Sequence, residues 1–120
     1  MTPTLRGIFL TAEDPATTAR FYRQVLGLEL EPIGAAGAYV YWKVDTGGLQ
    51  LAIHDAKQFS DYTHPARRES NLTHLYFKIE SQEQFLKHLQ TLGIAPYAID
   101  DVVVTVVDPD GRKVLMGTAA

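Results

Sequence analysis

Imidazoles, amides and phenols carry whatever chemistry this sequence can do, because it contains no cysteine and so offers no thiol nucleophile, no thiolate ligand and no disulfide. His74, in His74-Leu75-Tyr76-Phe77-Lys78-Ile79, has a side chain that titrates near neutrality, which suits a ligand contact or a general base. It can equally be held by a neighbour such as Gln50 and do nothing further. Gln50 in turn either orients a polar ligand or stands as a half-exposed strand residue. His54 closes a strand ahead of a long polar stretch, where it is a rim contact or a solvated side chain. Phe9, Tyr39, Tyr41 and Tyr76 offer aromatic faces for a planar ligand, each pairing worth about 0.5–1.5 kcal/mol beyond area burial. The same rings serve as well to pack a subunit contact. Tyr62, His64, Arg67 and Arg68 fall in a connecting loop that can close over a ligand or clasp a second subunit, or simply carry surface charge. His54, His64 and His74 lie on strand, loop and strand, too far apart to argue a zinc triad. There is no Gly-x-Ser-x-Gly, no phosphate-binding glycine loop and no His-Glu-x-x-His.

The elements that must position these residues occur twice in the same order. Leu5 to Thr11 reads as a strand, Asp14-Pro15 as an N-cap with proline at the first helical position, and Pro15 to Leu26 as a helix stopped by Gly27. Strands follow over Leu28 to Ile33, Tyr39 to Asp45 and Leu49 to His54, with Gly34, Gly37 and Gly47-Gly48 as turns. The second copy begins with a strand at Thr73 to Glu80 and a helix capped by Ser81, running to about Leu92 before Gly93. Strands then follow at about Ala95 to Ile99, Val102 to Val107 and Arg112 to Gly117, the last two joined by Asp108-Pro109-Asp110-Gly111. The segments Arg20 to Leu28 and Gln84 to Ile94 match at an offset of about 65 residues, as a duplicated module would. The expected organisation is one domain over 1–120, with modules at about 1–55 and 72–120 joined by about 56–71.

Strand alternation sorts the candidates onto faces. Ile8 and Leu10; Leu49, Leu51 and Ile53; Leu75, Phe77 and Ile79; and Val114 and Met116 form wholly apolar sets that belong under the helices. The opposite sets are mixed: Gly7, Phe9 and Thr11; Gln50, Ala52 and His54; His74, Tyr76 and Lys78; Lys113, Leu115 and Gly117. Such a face lines a cavity or a subunit contact. Tyr39, Tyr41 and Lys43 are placed with it, and Trp42 with the core.

A chain of 120 residues suffices for one hydrophobic core but not two independent ones. Apolar residues at 46% and charged residues at 21% argue for a globular protein and against a disordered tail or coiled coil. The net charge of -3 argues against a nucleic-acid partner, since phosphate binding needs a basic surface. No stretch approaches the roughly 18 apolar residues of a membrane span, and Met1 to Arg6 lacks the apolar run of a signal peptide. A cytoplasmic protein with neither membrane nor nucleic-acid partner is expected.

Phe21-Tyr22-Arg23-Gln24-Val25-Leu26-Gly27-Leu28, His74-Leu75-Tyr76-Phe77-Lys78-Ile79 and Asp108-Pro109-Asp110-Gly111-Arg112-Lys113-Val114-Leu115, with the repeated order of elements, resemble the vicinal-oxygen-chelate superfamily. That superfamily includes glyoxalase I, extradiol dioxygenases and bleomycin-resistance proteins. The resemblance implies an α+β fold of two βαβββ modules, with paired curved mixed sheets around a cleft and helices on the outer faces. It also implies, for metal-dependent members, a divalent ion held by one side chain from the first and one from the last strand of each module. Carried over, those positions are Gly7, Gln50, His74 and Leu115. Glycine and leucine cannot ligate, and an amide oxygen is a weak, uncharged ligand, so neither a metal nor a cofactor is expected.

The resemblance then implies a metal-free binding protein similar to the bleomycin-resistance branch, sequestering an aromatic or heterocyclic compound as a homodimer. Phe9, Tyr39, Tyr41, Gln50 and His54 from the first module, and His74, Tyr76 and Leu115 from the second, would meet that ligand. The rival is a glyoxalase-like isomerase or lyase, or a dioxygenase-like enzyme, with His74 catalytic and Gln50 or Tyr76 polarising a carbonyl. A third reading is a module serving protein association alone.

Overall fold

The computed structural model of the chain describes residues 4–34, 39–58 and 74–119. Tyr62, His64, Arg67 and Arg68, the Gly37 turn and most of the expected linker lie outside these residues. The chain divides into two compact units, Met1–Arg68 and Glu69–Ala120.

The first unit runs β1 (Gly7–Ala12), α1 (Pro15–Leu26), β2 (Glu31–Ile33), β3 (Tyr41–Thr46) and β4 (Leu49–Asp55). Its sheet has the order β1-β4-β3-β2. β1 and β4 are parallel and the other pairs antiparallel. Asp14 caps α1, its carboxylate accepting from the Thr17 amide at 3.4 Å and the Thr17 hydroxyl at 2.8 Å. These donors hold its pKa below the ordinary carboxylate value. Pro15 then costs nothing, because the first helical N–H has no helical acceptor. Thr18, Ala19, Tyr22 and Val25 form one buried stripe at helical spacing, and α1 packs on β1, β3 and β4. Beneath it lie Leu10, Ala12, Leu51 and Ile53. Full burial of an aliphatic side chain such as Ile53 contributes about 1.5–3 kcal/mol. Gly47 and Gly48 join β3 to β4 with φ of 57° and 85°. Two successive positive φ values define the hairpin turn whose twist matches the flanking strands, and only glycine adopts both without strain.

The second unit repeats the order: β5 (Leu75–Lys78), α2 (Gln82–Thr91), β6 (Ala98–Ile99), β7 (Val103–Val107) and β8 (Lys113–Gly117), with sheet order β5-β8-β7-β6. β5 and β8 are parallel. Ser81 caps α2, its hydroxyl accepting from the Gln84 amide at 3.2 Å. Phe85 and Leu89 are the helix's buried residues. Val104, Val106, Val114 and Met116 are fully enclosed, and their registers place them on one face. The β7–β8 turn is locked by Asp108. Its Oδ1 accepts from the Asp110 and Arg112 amides at 2.8 and 2.9 Å, and its Oδ2 from Arg112 Nη1 at 2.9 Å.

Two mixed four-stranded sheets, each with one helix, make the α+β fold of repeated βαβββ modules that the sequence predicts. The edge strands are shorter than predicted. β2 starts at Glu31 rather than Leu28; Leu30 is buried in the irregular segment before it. β3 starts at Tyr41, where its pairing with Ile33 ends, so Tyr39 lies outside the strand. Trp42, read as core, is half-buried. No helix among the described residues is long and apolar enough to cross a membrane.

Candidate functional site

The helix-free face of the first sheet collects the aromatic candidates. Register pairs Gly7 with Gln50, Phe9 with Ala52 and Thr11 with His54, and places Lys43 beside Ala52 and Asp45 beside Gln50. Paired residues share a face, so this surface is polar at the Gln50 end and aromatic at the His54 end.

His54 is the centre of the aromatic end. Its ring stacks on Tyr41, with centroids 4.8 Å apart and planes 12° from parallel. Phe9 leans on it at 5.1 Å and Tyr39 at 5.7 Å, both tilted. The Tyr39 hydroxyl lies 2.7 Å from Nδ1, hydrogen-bonded to it. His54 is only 9% exposed, which corrects the solvated one of its two readings: the surrounding rings exclude water from it. That desolvation disfavours imidazolium and lowers the His54 pKa from the ordinary value of 6.5, so the ring is neutral at pH 7. Phe9 and Tyr39 remain 54% and 38% exposed, leaving an aromatic surface around a buried, uncharged imidazole. The structure thus brings Phe9, Tyr39, Tyr41 and His54 together, with Gln50 half-buried farther along the same face. Lys43, on this face too, gives its ammonium to Asp45 at 2.6 Å.

In the second unit Tyr76 and Leu115 are register partners on the helix-free face. The Tyr76 hydroxyl donates to the Ala119 carbonyl at 2.8 Å. Its ring lies over Gly117, where an added Cβ would sit 2.5 Å from the hydroxyl oxygen. His74 precedes β5 and is exposed. The position read as a subunit or ligand contact is therefore, for Tyr76, also a clamp on the chain's C-terminal segment.

Two features escaped the sequence reading. Lys113 lies 5.0 Å from the Tyr97 ring centroid, a cation–π contact at the edge of the second sheet. A depression of about 760 Å³ lies against the end of α1, lined by Arg20, Arg23, Gln24, Glu29 and Glu31 among others. The alternation of arginine and glutamate there gives no net preference for either sign of charge, and none of the aromatic candidates lines it.

The fold and its repeated module are those of the vicinal-oxygen-chelate superfamily. The chain belongs to the glyoxalase-like domain family, whose sequence profile matches residues 7–115. Solved structures similar to it include a lactoylglutathione lyase from Agrobacterium tumefaciens, with 21% identity, a TM-score of 0.69 and coverage of 97% of this chain and 93% of that one. A mutant of the genomically encoded fosfomycin resistance protein FosX from Listeria monocytogenes, complexed with Mn(II) and 1S,2S-dihydroxypropylphosphonic acid, is 17% identical with a TM-score of 0.74, covering 100% and 95%. A glyoxalase-related enzyme from Fulvimarina pelagi is 17% identical with a TM-score of 0.75, covering 97% and 88%. At these identities the likeness is one of fold. No curated protein matches the sequence significantly.

The superfamily's metal can be tested against the four positions it would use. Gly7 has no donor, and the place a side chain would start is covered: a Cβ there would meet Phe9 Cε1 at 2.9 Å and the Gln50 carbonyl oxygen at 3.3 Å. Leu115 is half-buried hydrocarbon. What remains is one amide, Gln50, and one imidazole, His74, neither of which brings a negative charge to a cation. Among the described residues no group of three or more His, Asp or Glu could hold a metal ion. A divalent ion needs more and harder donors than these, so the residues present do not fit the group.

Proposed function

We propose that this chain is a metal-independent small-molecule-binding protein of the glyoxalase-like family, which sequesters a planar aromatic or heterocyclic compound in the manner of bleomycin-resistance proteins. The observation that carries the reading is the exchange at Gly7: where the family's metalloenzymes carry a ligand, the Phe9 ring covers a residue with no side chain. Phe9, Tyr39, Tyr41 and His54 make an aromatic surface next to it, and stacking on such rings contributes about 0.5–1.5 kcal/mol per pair beyond area burial. In this reading Gln50 orients the ligand, and His74, Tyr76 and Leu115 are the second module's own candidate contacts. Two of the similar structures are a lyase and a fosfomycin resistance protein holding Mn(II). This chain's donor set does not supply such an ion's ligands, which favours sequestration over metal-assisted turnover. A cytoplasmic homodimer goes with this reading, and size-exclusion chromatography with light scattering tests the dimer.

The test of function is thermal shift in EDTA with a panel of planar heteroaromatic compounds. A concentration-dependent rise in Tm supports the proposal, because a ligand that binds only the folded state stabilises it by mass action. No shift from any compound at millimolar concentration refutes it. A second reading, an isomerase or lyase with His74 as general base, draws on the exposure of that imidazole. It requires His74→Ala to abolish a turnover while the fold stays intact.

A further inference from the structure

We infer that the depression at the carboxyl end of α1 is a second binding site, for a short peptide with free termini. Arg20 and Arg23 hold its carboxylate and Glu29 its ammonium. The depression measures about 760 Å³, and none of the rings of the aromatic face lines it, so the inference stands apart from the proposed function. Its walls are α1 and the segment that leads into β2. Arg20 and Arg23 lie three residues apart on the helix, neighbours on its surface that can act on one anionic group. Both are exposed, and so is Glu29 on the segment after the helix. Among the described residues these three charges make no ion pair with one another. Arg20 acts through space on Asp14, as the least of the influences on that carboxylate. Glu31 pairs in register with Lys43 and acts on it, so Glu29 is the carboxylate that serves the depression.

The backbone separates the charges. Gly27 lines the depression with φ of 68° and ends the helix, its amide donating to the Arg23 and Tyr22 carbonyls. The carbonyl end of a helix carries partial negative charge and favours a cation. A Cβ built on Gly27 meets nothing within 4 Å, so a ligand's ammonium approaches that end without displacing a side chain. The arginines stand farther back: at 1.5 Å per residue, Arg23 is about 6 Å and Arg20 about 10 Å from Gly27 along the axis. A single amino acid carries both charges on one carbon and cannot reach both ends. Two or three residues of extended chain span about 7–11 Å and can. Leu28, half-buried, and Leu30, buried, line the depression with hydrocarbon for the ligand's body. Charges that cancel in sum thus select a ligand carrying both signs at the right separation over one carrying either alone.

The test is NMR titration of the full-length protein at pH 7 and low salt with trialanine, N-acetyl-trialanine and trialanine amide. It is repeated in Glu29→Gln and in the double variant Arg20→Gln/Arg23→Gln, whose altered side chains are exposed. Trialanine is expected to shift the Arg23, Gly27 and Glu29 amides saturably at millimolar concentration. Each capped peptide is expected to bind about fivefold more weakly, the loss of one exposed charge contact. Glu29→Gln is expected to weaken trialanine by about the same factor and to leave N-acetyl-trialanine unchanged, because the charge it would meet is already gone. The arginine double variant is expected to do the same for trialanine and to spare trialanine amide. No saturable shift with trialanine, shifts confined to other amides, or equal weakening of capped and uncapped peptides in Glu29→Gln overturns the inference. Binding of planar heteroaromatic compounds is expected to be unchanged in these variants, and its loss overturns the separation of the two sites.

Discussion

Replacing Tyr39 by phenylalanine removes one oxygen atom and tests whether the Tyr39–His54 bond organises the aromatic face. The bond is short, at 2.7 Å, and its imidazole partner is 9% exposed. Taking away the hydroxyl forfeits a net hydrogen bond between Tyr39 and Nδ1, a change that costs about 1–3 kcal/mol when the remaining group is buried. Tyr39 itself is 38% exposed, so water can partly replace the hydroxyl and the lower end applies, about 1 kcal/mol. For a chain of this length that lowers Tm by about 4 °C. Urea denaturation followed by circular dichroism measures the loss directly, and a cycle with His54→Phe isolates the pair: the coupling energy is expected at about 1 kcal/mol. A Tyr39→Phe variant within about 0.3 kcal/mol of wild type, or a cost unchanged in the His54→Phe background, refutes the reasoning.

Acidification gives a second outcome with a defined sign. The folded pKa of His54 is depressed by burial below 6.5, so the unfolded chain takes up a proton that the folded chain refuses. The stabilisation is complete above pH 6.5 and is lost as pH falls through the lower folded value. Wild-type Tm is expected to drop over that window, and His54→Phe to flatten the drop. Asp14 and Asp100, whose carboxylates accept backbone amides, act in a separate window below 3.8. Gly7→Ala forces the Phe9 ring away from a Cβ that would stand 2.9 Å from it; a loss of about 1 kcal/mol and weaker binding of planar heteroaromatic compounds are expected, read by denaturation and thermal shift. Asp108→Asn puts an amide nitrogen against Arg112 Nη1 in a side chain with 0% exposure. Breaking such a buried pair costs about 2–4 kcal/mol, and a midpoint shift below about 0.5 kcal/mol contradicts that account of the turn.

Local chemistry made the helices and faces legible in the sequence. Asp14-Pro15 and Gly27 bound α1, and Ser81 starts α2, because caps act through residues adjacent in sequence. Alternation sorted β1 and β4 correctly, since both strands keep their period of two along their length. Tyr39 was assigned to its face through a strand that does not reach it; its ring meets His54 from the segment before β3 instead. The burial of His54 was not legible, because it depends on three rings contributed by β1, β3 and the approach to β3. Nothing near His54 in sequence distinguishes it from a solvated residue at a strand end. The cover over Gly7 was invisible for a related reason. The sequence shows a missing ligand, but only the folded chain shows the Phe9 ring lying where a side chain would begin.

The central claim is that this member of the glyoxalase-like family works without the superfamily's metal. Elemental analysis of protein purified without chelator, together with calorimetric titration of nickel, zinc, manganese and iron into it, tests that claim most directly. The account predicts no stoichiometric metal and no saturable heat, with binding of planar aromatic compounds unchanged by EDTA. One metal per chain, lost in His74→Ala, would contradict it and restore metal-assisted chemistry to this fold.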